Sequence, residues 1–210
     1  MRGRISIQCI ALTYSFLLFS SALGQEPSTS IISIQSFYSG LSTQSRILFS
    51  EILGEMGAAT YAESMGWVRL FDIMFKTRPQ GLDQVYIDAS GVINVIECKG
   101  GTGTYGTYTV GNATYQQGTM EYVLSVCDDV LRSPNPNITA YEKELARTIL
   151  LEAQRGNVRS IYTRVPHLNG SPTNILVEGV AESTDETASM ASSLIDDLAR
   201  EGISITDDIA

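Results

Sequence analysis

Histidine is almost absent: His167 is the only one in 210 residues. That scarcity counts against hydrolases built on a Ser-His-Asp or Cys-His arrangement. It also counts against zinc, because His167 and the three cysteines show no ligand spacing. Cysteine is scarce too. Cys9 lies in the first apolar stretch, and Cys98 and Cys127 remain as a pair whose geometry the sequence leaves open. Positive charge is in short supply, with 14 Lys and Arg against 23 Asp and Glu, a net charge of −9. No strongly basic face is visible in it. After the first two dozen residues no run is apolar enough to cross a bilayer. Disorder throughout is excluded as well, since 43% of residues are hydrophobic and 18% charged.

What is present begins with "MRGRISIQCIALTYSFLLFSSALGQ". Arg2 and Arg4 precede an apolar run from Ile5 to Phe19, and Ala22-Leu23-Gly24 fits a small-x-small cleavage site. The pattern predicts a secretory signal peptide over 1–24, and so a secreted or periplasmic protein with no stable membrane association after cleavage. The alternative is an uncleaved anchor, but the apolar core is shorter than the ~20 residues a span needs. Losing the two arginines takes the net charge from −9 to −11. The acidity is uneven: residues 178–210 carry nine acids against Arg200 alone, a charge of −8. The predicted organisation is a signal peptide (1–24), a linker (25–43), one main domain (44–178) and an acidic C-terminal helix and tail (179–210).

Within the main domain, Ile47, Leu48, Ile52, Leu53, Met56 and Ala59 recur at helical spacing over 43–65, with Ser42 or Thr43 as cap. "GWVRLFDIMF" (66–75) reads as a strand, and "GLDQVYIDASGVINVIECKGG" (81–101) as a hairpin. "KGGTGTYGTYTVG" reads as a Gly/Thr-rich loop. Helices follow over 115–131 and around "TAYEKELARTILLEAQRG", then strands "NVRSIYTRVP" and "TNILVEGV", then a helix over 187–200. The order predicts an α/β (α+β) fold with a central mixed sheet of four to five strands flanked by helices.

The hairpin carries charge where a core strand should avoid it. If Ala89-Ser90-Gly91 is a three-residue loop with Gly91 in the left-handed region, Asp88 faces Val92 and Asp83 faces Glu97. A loop one residue longer or shorter would put the two acids on opposite faces. Glu97 and Lys99, two apart, share a side of the strand. Two opposed carboxylates repel, and a hard divalent cation, Mg²⁺ or Mn²⁺, removes that repulsion while leaving room for waters and a phosphate. The pattern points to metal-assisted phosphodiester hydrolysis, with Lys99 orienting water or stabilising charge. The plainer alternative is a strand-end ion pair.

These segments resemble the PD-(D/E)XK, or restriction-endonuclease-like, nuclease superfamily, and most closely the nuclease domains of bacterial polymorphic toxins. The acid-x-Lys element is "ECK", the leading acid is Asp83 in "QGLD", "YQQGTMEYV" is similar to the family's Gln-Gly-Thr helix start, and "LGEMGAA" to its first-helix Gly-Glu segment. The resemblance covers residues 45–165 and implies a restriction-endonuclease-like core. It implies Asp83 and Glu97 as metal ligands, Lys99 as catalytic amine and Glu55 as a further metal-side acid, with Glu51 competing for that role. It implies Gln117 as a catalytic or substrate-binding residue and Tyr122 as a substrate contact. The implied substrate is nucleic acid, DNA before RNA. An inhibitor protein and a homodimer are the other partners it suggests. A non-catalytic secreted binding module with the same fold is the competing function. Lys76, Arg78, Lys99, Arg132, Lys143, Arg147, Arg155, Arg159 and Arg164 are the cations available to form a phosphate-binding face.

Overall fold

The computed structural model describes residues 39–72, 81–101, 103–110, 113–166 and 175–205. The predicted signal peptide, most of the predicted linker, Cys9, Lys76, Arg78 and His167 lie outside the described residues. Helix α1 (Thr43–Ser64) starts at Ser42, whose side chain accepts the Ser45 N–H at 3.2 Å. Strands β1 (Val68–Asp72), β2 (Gln84–Ile87) and β3 (Ile93–Gly100) follow. Then come a small hairpin, β4 (Thr107–Val110) and β5 (Ala113–Gln116), and helices α2 (Met120–Arg132) and α3 (Ala140–Gln154). Strands β6 (Val158–Val165) and β7 (Leu176–Glu182) and helix α4 (Asp185–Arg200) complete the order.

The main sheet has five strands in the order β1-β2-β3-β6-β7. Only β3 and β6 run parallel; the other neighbours are antiparallel. That one parallel pair needs a crossover, and β4, β5, α2 and α3 supply it. Strand β3 is central and buried on both sides, which explains its nearly continuous apolar run.

Alternation along the strands sorts the core into two faces. Tyr86, Ile96, Cys98 and Ile161 pack on Ala58 and Ala62 of α1. Val85, Ile93, Val95 and Val158 pack on the opposite side with α2, α3 and α4. Cys98 and Cys127 therefore sit on opposite faces of the sheet and are not bonded to each other.

The predicted hairpin register holds. Gln84 pairs Ile96, Val85 pairs Val95, Tyr86 pairs Asn94 and Ile87 pairs Ile93. The turn closes through Asp88 N–H to Val92 O at 3.0 Å, with Gly91 at φ 82°. Two expectations need correction. The Gly/Thr-rich loop is partly β4, and the first residues of the expected 115–131 helix are β5. Helix α2 begins only at Met120, because the Thr119 side chain accepts the Tyr122 N–H at 3.2 Å and stops the helix there. The 178/179 division falls within β7, and α4 packs on the helices before it, with Ala191 and Leu198 fully buried against α2 and α3.

Candidate active site

The C-terminal end of β3 carries Glu97 and Lys99 on the face covered by α2. Lys99 Nζ donates to Glu97 Oε1 at 2.8 Å, with the Glu97 side chain 3% and the Lys99 side chain 20% exposed. Glu97 is thus the floor and Lys99 the rim. The other Glu97 oxygen takes no hydrogen bond among the described residues.

Asp83 stands one step before β2, at the position that the register sets against Glu97. It is buried, and its Oδ2 accepts the Cys98 N–H at 3.1 Å, with Cys98 Sγ at 3.7 Å. The carboxylate therefore continues the ladder where β2 has ended. Asp83 is tied to the residue between Glu97 and Lys99.

The turn before α2 roofs this end. Gln117 N–H donates to Gly106 O at 2.9 Å, and Gln117 Oε1 accepts the Gly106 N–H at 2.7 Å. The Gln117 side chain also reaches the Tyr122 phenol. Tyr122 is only 1% exposed and its hydroxyl donates to Gly81 O at 2.9 Å. Burial, and then the Glu97 charge, push its phenol upward. Tyr122, expected as a substrate contact, is placed inside the core, where it anchors the segment that leads into Asp83. Gln117 is an organiser of the loop.

Glu55 sits on α1, which covers the other face of the sheet. It is buried, whereas Glu51 is exposed, and its backbone carbonyl accepts from Gln84 Nε2 at 2.7 Å. Among the described residues no three His, Cys, Asp or Glu side chains form a metal-holding group. Asp83, Glu97 and Glu55 therefore do not make a three-acid set. Helix α1 packs on the face of the sheet opposite Val95 and Ile93, the face that Glu97 continues.

Sequence reasoning passed over a second network beside Lys99. Arg164, its register partner on β6, forks onto Glu178 with Nε–Oε1 at 2.5 Å and Nη2–Oε2 at 3.1 Å. Its Nη1 holds Gly101 O at 3.1 Å and Gly103 O at 2.6 Å. The Tyr105 hydroxyl donates to Glu178 Oε2 at 2.7 Å, and its ring lies 5.8 Å from Lys99 Nζ and 5.6 Å from Arg164 Cζ. Burial, then the Glu178 hydrogen bond, push the Tyr105 phenol up. The loop after β3 is thus strapped down beside the site. The sequence signal for it was parity with Lys99, legible only once β6 is known to pair in parallel with β3.

No family model, no curated protein and no solved structure matches this chain. The site must therefore be judged on its own geometry.

Most of the described cations named from the sequence are engaged in ion pairs. Arg132 pairs with Asp128 and Glu201, Arg147 with Glu144, Arg155 with Glu152, and Arg159 with Asp88 and Glu182. Lys143 instead caps the end of α2 through Leu131 O and Ser133 O. A magnesium-type site remains compatible with what is present. Mg²⁺ is commonly held by one or two carboxylates with waters completing the shell, and Glu97 and Asp83 supply two buried oxygen donors at neighbouring positions. No helix among the described residues is long and apolar enough to cross a membrane.

Proposed function

We propose that this chain is an exported, divalent-metal-dependent nuclease of restriction-endonuclease-like architecture that hydrolyses phosphodiester bonds, with DNA as the favoured substrate. The observation that carries the reading is the buried Glu97–Lys99 pair at the end of the central strand, with Asp83 at the register position opposite Glu97. Asp83 and Glu97 would hold Mg²⁺ or Mn²⁺, which when bound polarises the phosphodiester and lowers the pKa of a coordinated water.

The side chains have separable tasks. Lys99, the more exposed member of the pair, donates to a phosphate oxygen or to the attacking water. Glu97 holds that ammonium in place by a single charge-assisted bond. Tyr122 and Gln117 fix the segment before Asp83 and the loop after β3, and so keep water from flooding the floor of the site.

A second reading keeps the fold without the chemistry: a secreted binding module whose Glu97 and Lys99 form a strand-end pair. The observation behind it is that Glu97 and Lys99 already pair with each other at 2.8 Å. Incubation with plasmid DNA and with RNA, in Mg²⁺ or Mn²⁺ and in EDTA, separates the two. Metal-dependent cleavage that Glu97→Gln and Lys99→Ala abolish supports the nuclease. Calorimetry gives a second readout, since Mg²⁺ binding should disappear in Glu97→Gln. Equal cleavage by wild type and both variants would sink the assignment of this site.

A further inference from the structure

Three tyrosines surround Glu97 closely enough for its charge to act on their phenols: Tyr105, Tyr122 and Tyr162. They are not equivalent. The Tyr105 hydroxyl is spent on Glu178 and the Tyr122 hydroxyl on Gly81 O. The Tyr162 hydroxyl makes no hydrogen bond among the described residues.

Its ring is nevertheless held in place on both edges. A Cβ on Gly118 would stand 1.6 Å from Cε1, and one on Gly179 would stand 2.8 Å from Cδ2. The ring fills space that both residues leave open, and Gly118 also needs its φ of 84°. Ser160, two residues earlier on β6, donates to Gly118 O at 2.6 Å and locks that wall. The Tyr105 ring meets Tyr162 edge-on, with centroids 5.4 Å apart. Strand register puts Tyr162 directly beside Glu97 on the parallel neighbour, on the same face of the sheet. A rigid ring with an uncommitted hydroxyl is a preorganised donor, which costs little reorganisation when a charged ligand arrives.

We propose that Tyr162 is a substrate-contact residue whose hydroxyl donates a hydrogen bond to a non-bridging phosphate oxygen of the nucleic acid at Glu97 and Lys99. This rests on the nuclease reading and adds to it a phosphate donor from β6. An ordinary tyrosine phenol, with its pKa of about 10, is a neutral donor at working pH.

Tyr162→Phe removes the oxygen and keeps the ring against Gly118 and Gly179. With a plasmid or oligonucleotide substrate and Mg²⁺ or Mn²⁺, kcat/KM should fall about ten-fold, the loss expected for one hydrogen bond to a charged acceptor. The melting temperature should not change. Gly179→Ala keeps the hydroxyl but pushes the ring, and its kcat/KM should also fall. Wild-type kcat/KM in Tyr162→Phe, alongside an inactive Glu97→Gln, would overturn the role of Tyr162 and leave the nuclease reading intact. A rate loss in Tyr162→Phe matched by a lower melting temperature would make the residue structural and overturn it too. No metal-dependent cleavage by wild type would overturn the nuclease reading, and this inference with it.

Discussion

Replacing Gly100 with alanine tests how α1 is seated on the strand that bears the site. A Cβ at Gly100 would stand 2.0 Å from Ser50 O and 2.8 Å from Ser50 C. Both atoms belong to the backbone of α1, so no side chain can swing aside to absorb the overlap. The helix must move off β3 by an ångström or more at that point. Overpacking a well-packed interface costs about 1–3 kcal/mol, and a backbone-on-backbone clash belongs at the upper end. With about 2–4 °C per kcal/mol for a domain of this size, the melting temperature should drop by roughly 6–12 °C. Gly54→Ala approaches the same junction from the helix side, at 2.9 Å from Gly100 N and Lys99 C. It should cost less, because alanine regains about 1 kcal/mol of helix propensity. Gly40→Ala has nothing within 4 Å and is the control, with a change below about 0.5 kcal/mol. Thermal unfolding followed by circular dichroism reads all three. A Gly100→Ala protein that melts within about 2 °C of wild type would refute the close helix–strand contact, given the ~2–4 °C per kcal/mol scale.

Lys99→Met leaves Glu97 buried without its partner and should cost about 2–3 kcal/mol, somewhat below the ~3–5 of a fully buried pair, because Lys99 is 20% exposed. On the nuclease reading, millimolar Mg²⁺ should recover part of that loss in thermal melts, and the double variant Glu97→Leu/Lys99→Met should show no Mg²⁺ response. The Arg164 hydrogen bond holds the Glu178 carboxyl below its ordinary 4.5. Its stabilisation is therefore present above pH 4.5 and lost as pH falls through the lower folded value. Glu178→Gln should melt lower than wild type by less than about 1 kcal/mol at neutral pH, with the gap closing in acid; a gap constant with pH would contradict the clamp. Cys98 and Cys127 are buried, and burial pushes the Cys127 thiol up. Neither should react with a thiol reagent until the protein is unfolded, and labelling of the native protein at a rate independent of denaturant would disprove that.

The parts of the fold legible in the sequence were those governed by local chemistry. The hairpin register followed from a three-residue loop ending at Gly91, because that turn leaves only one pairing in which the apolar residues share a face. The capping boxes at Thr139 with Glu142 and at Thr184 with Thr187 fix helix starts close to where apolar periodicity placed them. What was misread depends on distant contacts. Glycine content argued for a loop over 99–111, yet Tyr108 pairs with Tyr115 and packs edge-on to Tyr122, so tertiary burial outweighs weak strand propensity. Of the candidate site, the placing of Glu97 beside Lys99 and the register position of Asp83 were legible. The direction of the Asp83 carboxylate was not, because it depends on where β2 stops. Tyr162 and Arg164 were invisible for a similar reason. Their relation to Glu97 and Lys99 exists only through the parallel pairing of β3 with β6, and parallel partners leave no turn signal in the sequence.

The Glu97–Lys99 pair is also the feature that stability explains least well. Removing a carboxylate from water costs several kcal/mol, and one ammonium offsets that only when further hydrogen bonds satisfy the remaining lone pairs. Glu97 has a single such bond, and its second oxygen has none among the described residues. Val95 and Ile93 continue the same face with fully apolar packing. An apolar pair at 97 and 99 would therefore extend an existing core and, on general grounds, be neutral or stabilising by about 1–4 kcal/mol. A structural ion pair would need a compensating role, such as fixing register, yet register here is already set by the Gly91 turn and the Asp83–Cys98 bond. The Glu97 carboxylate, the rim-exposed Lys99 amine and the Tyr162 hydroxyl are all polar groups with hydrogen-bonding capacity left over among the described residues. On the nuclease reading, a bound cation or phosphate would use that capacity and offset the cost of burying it.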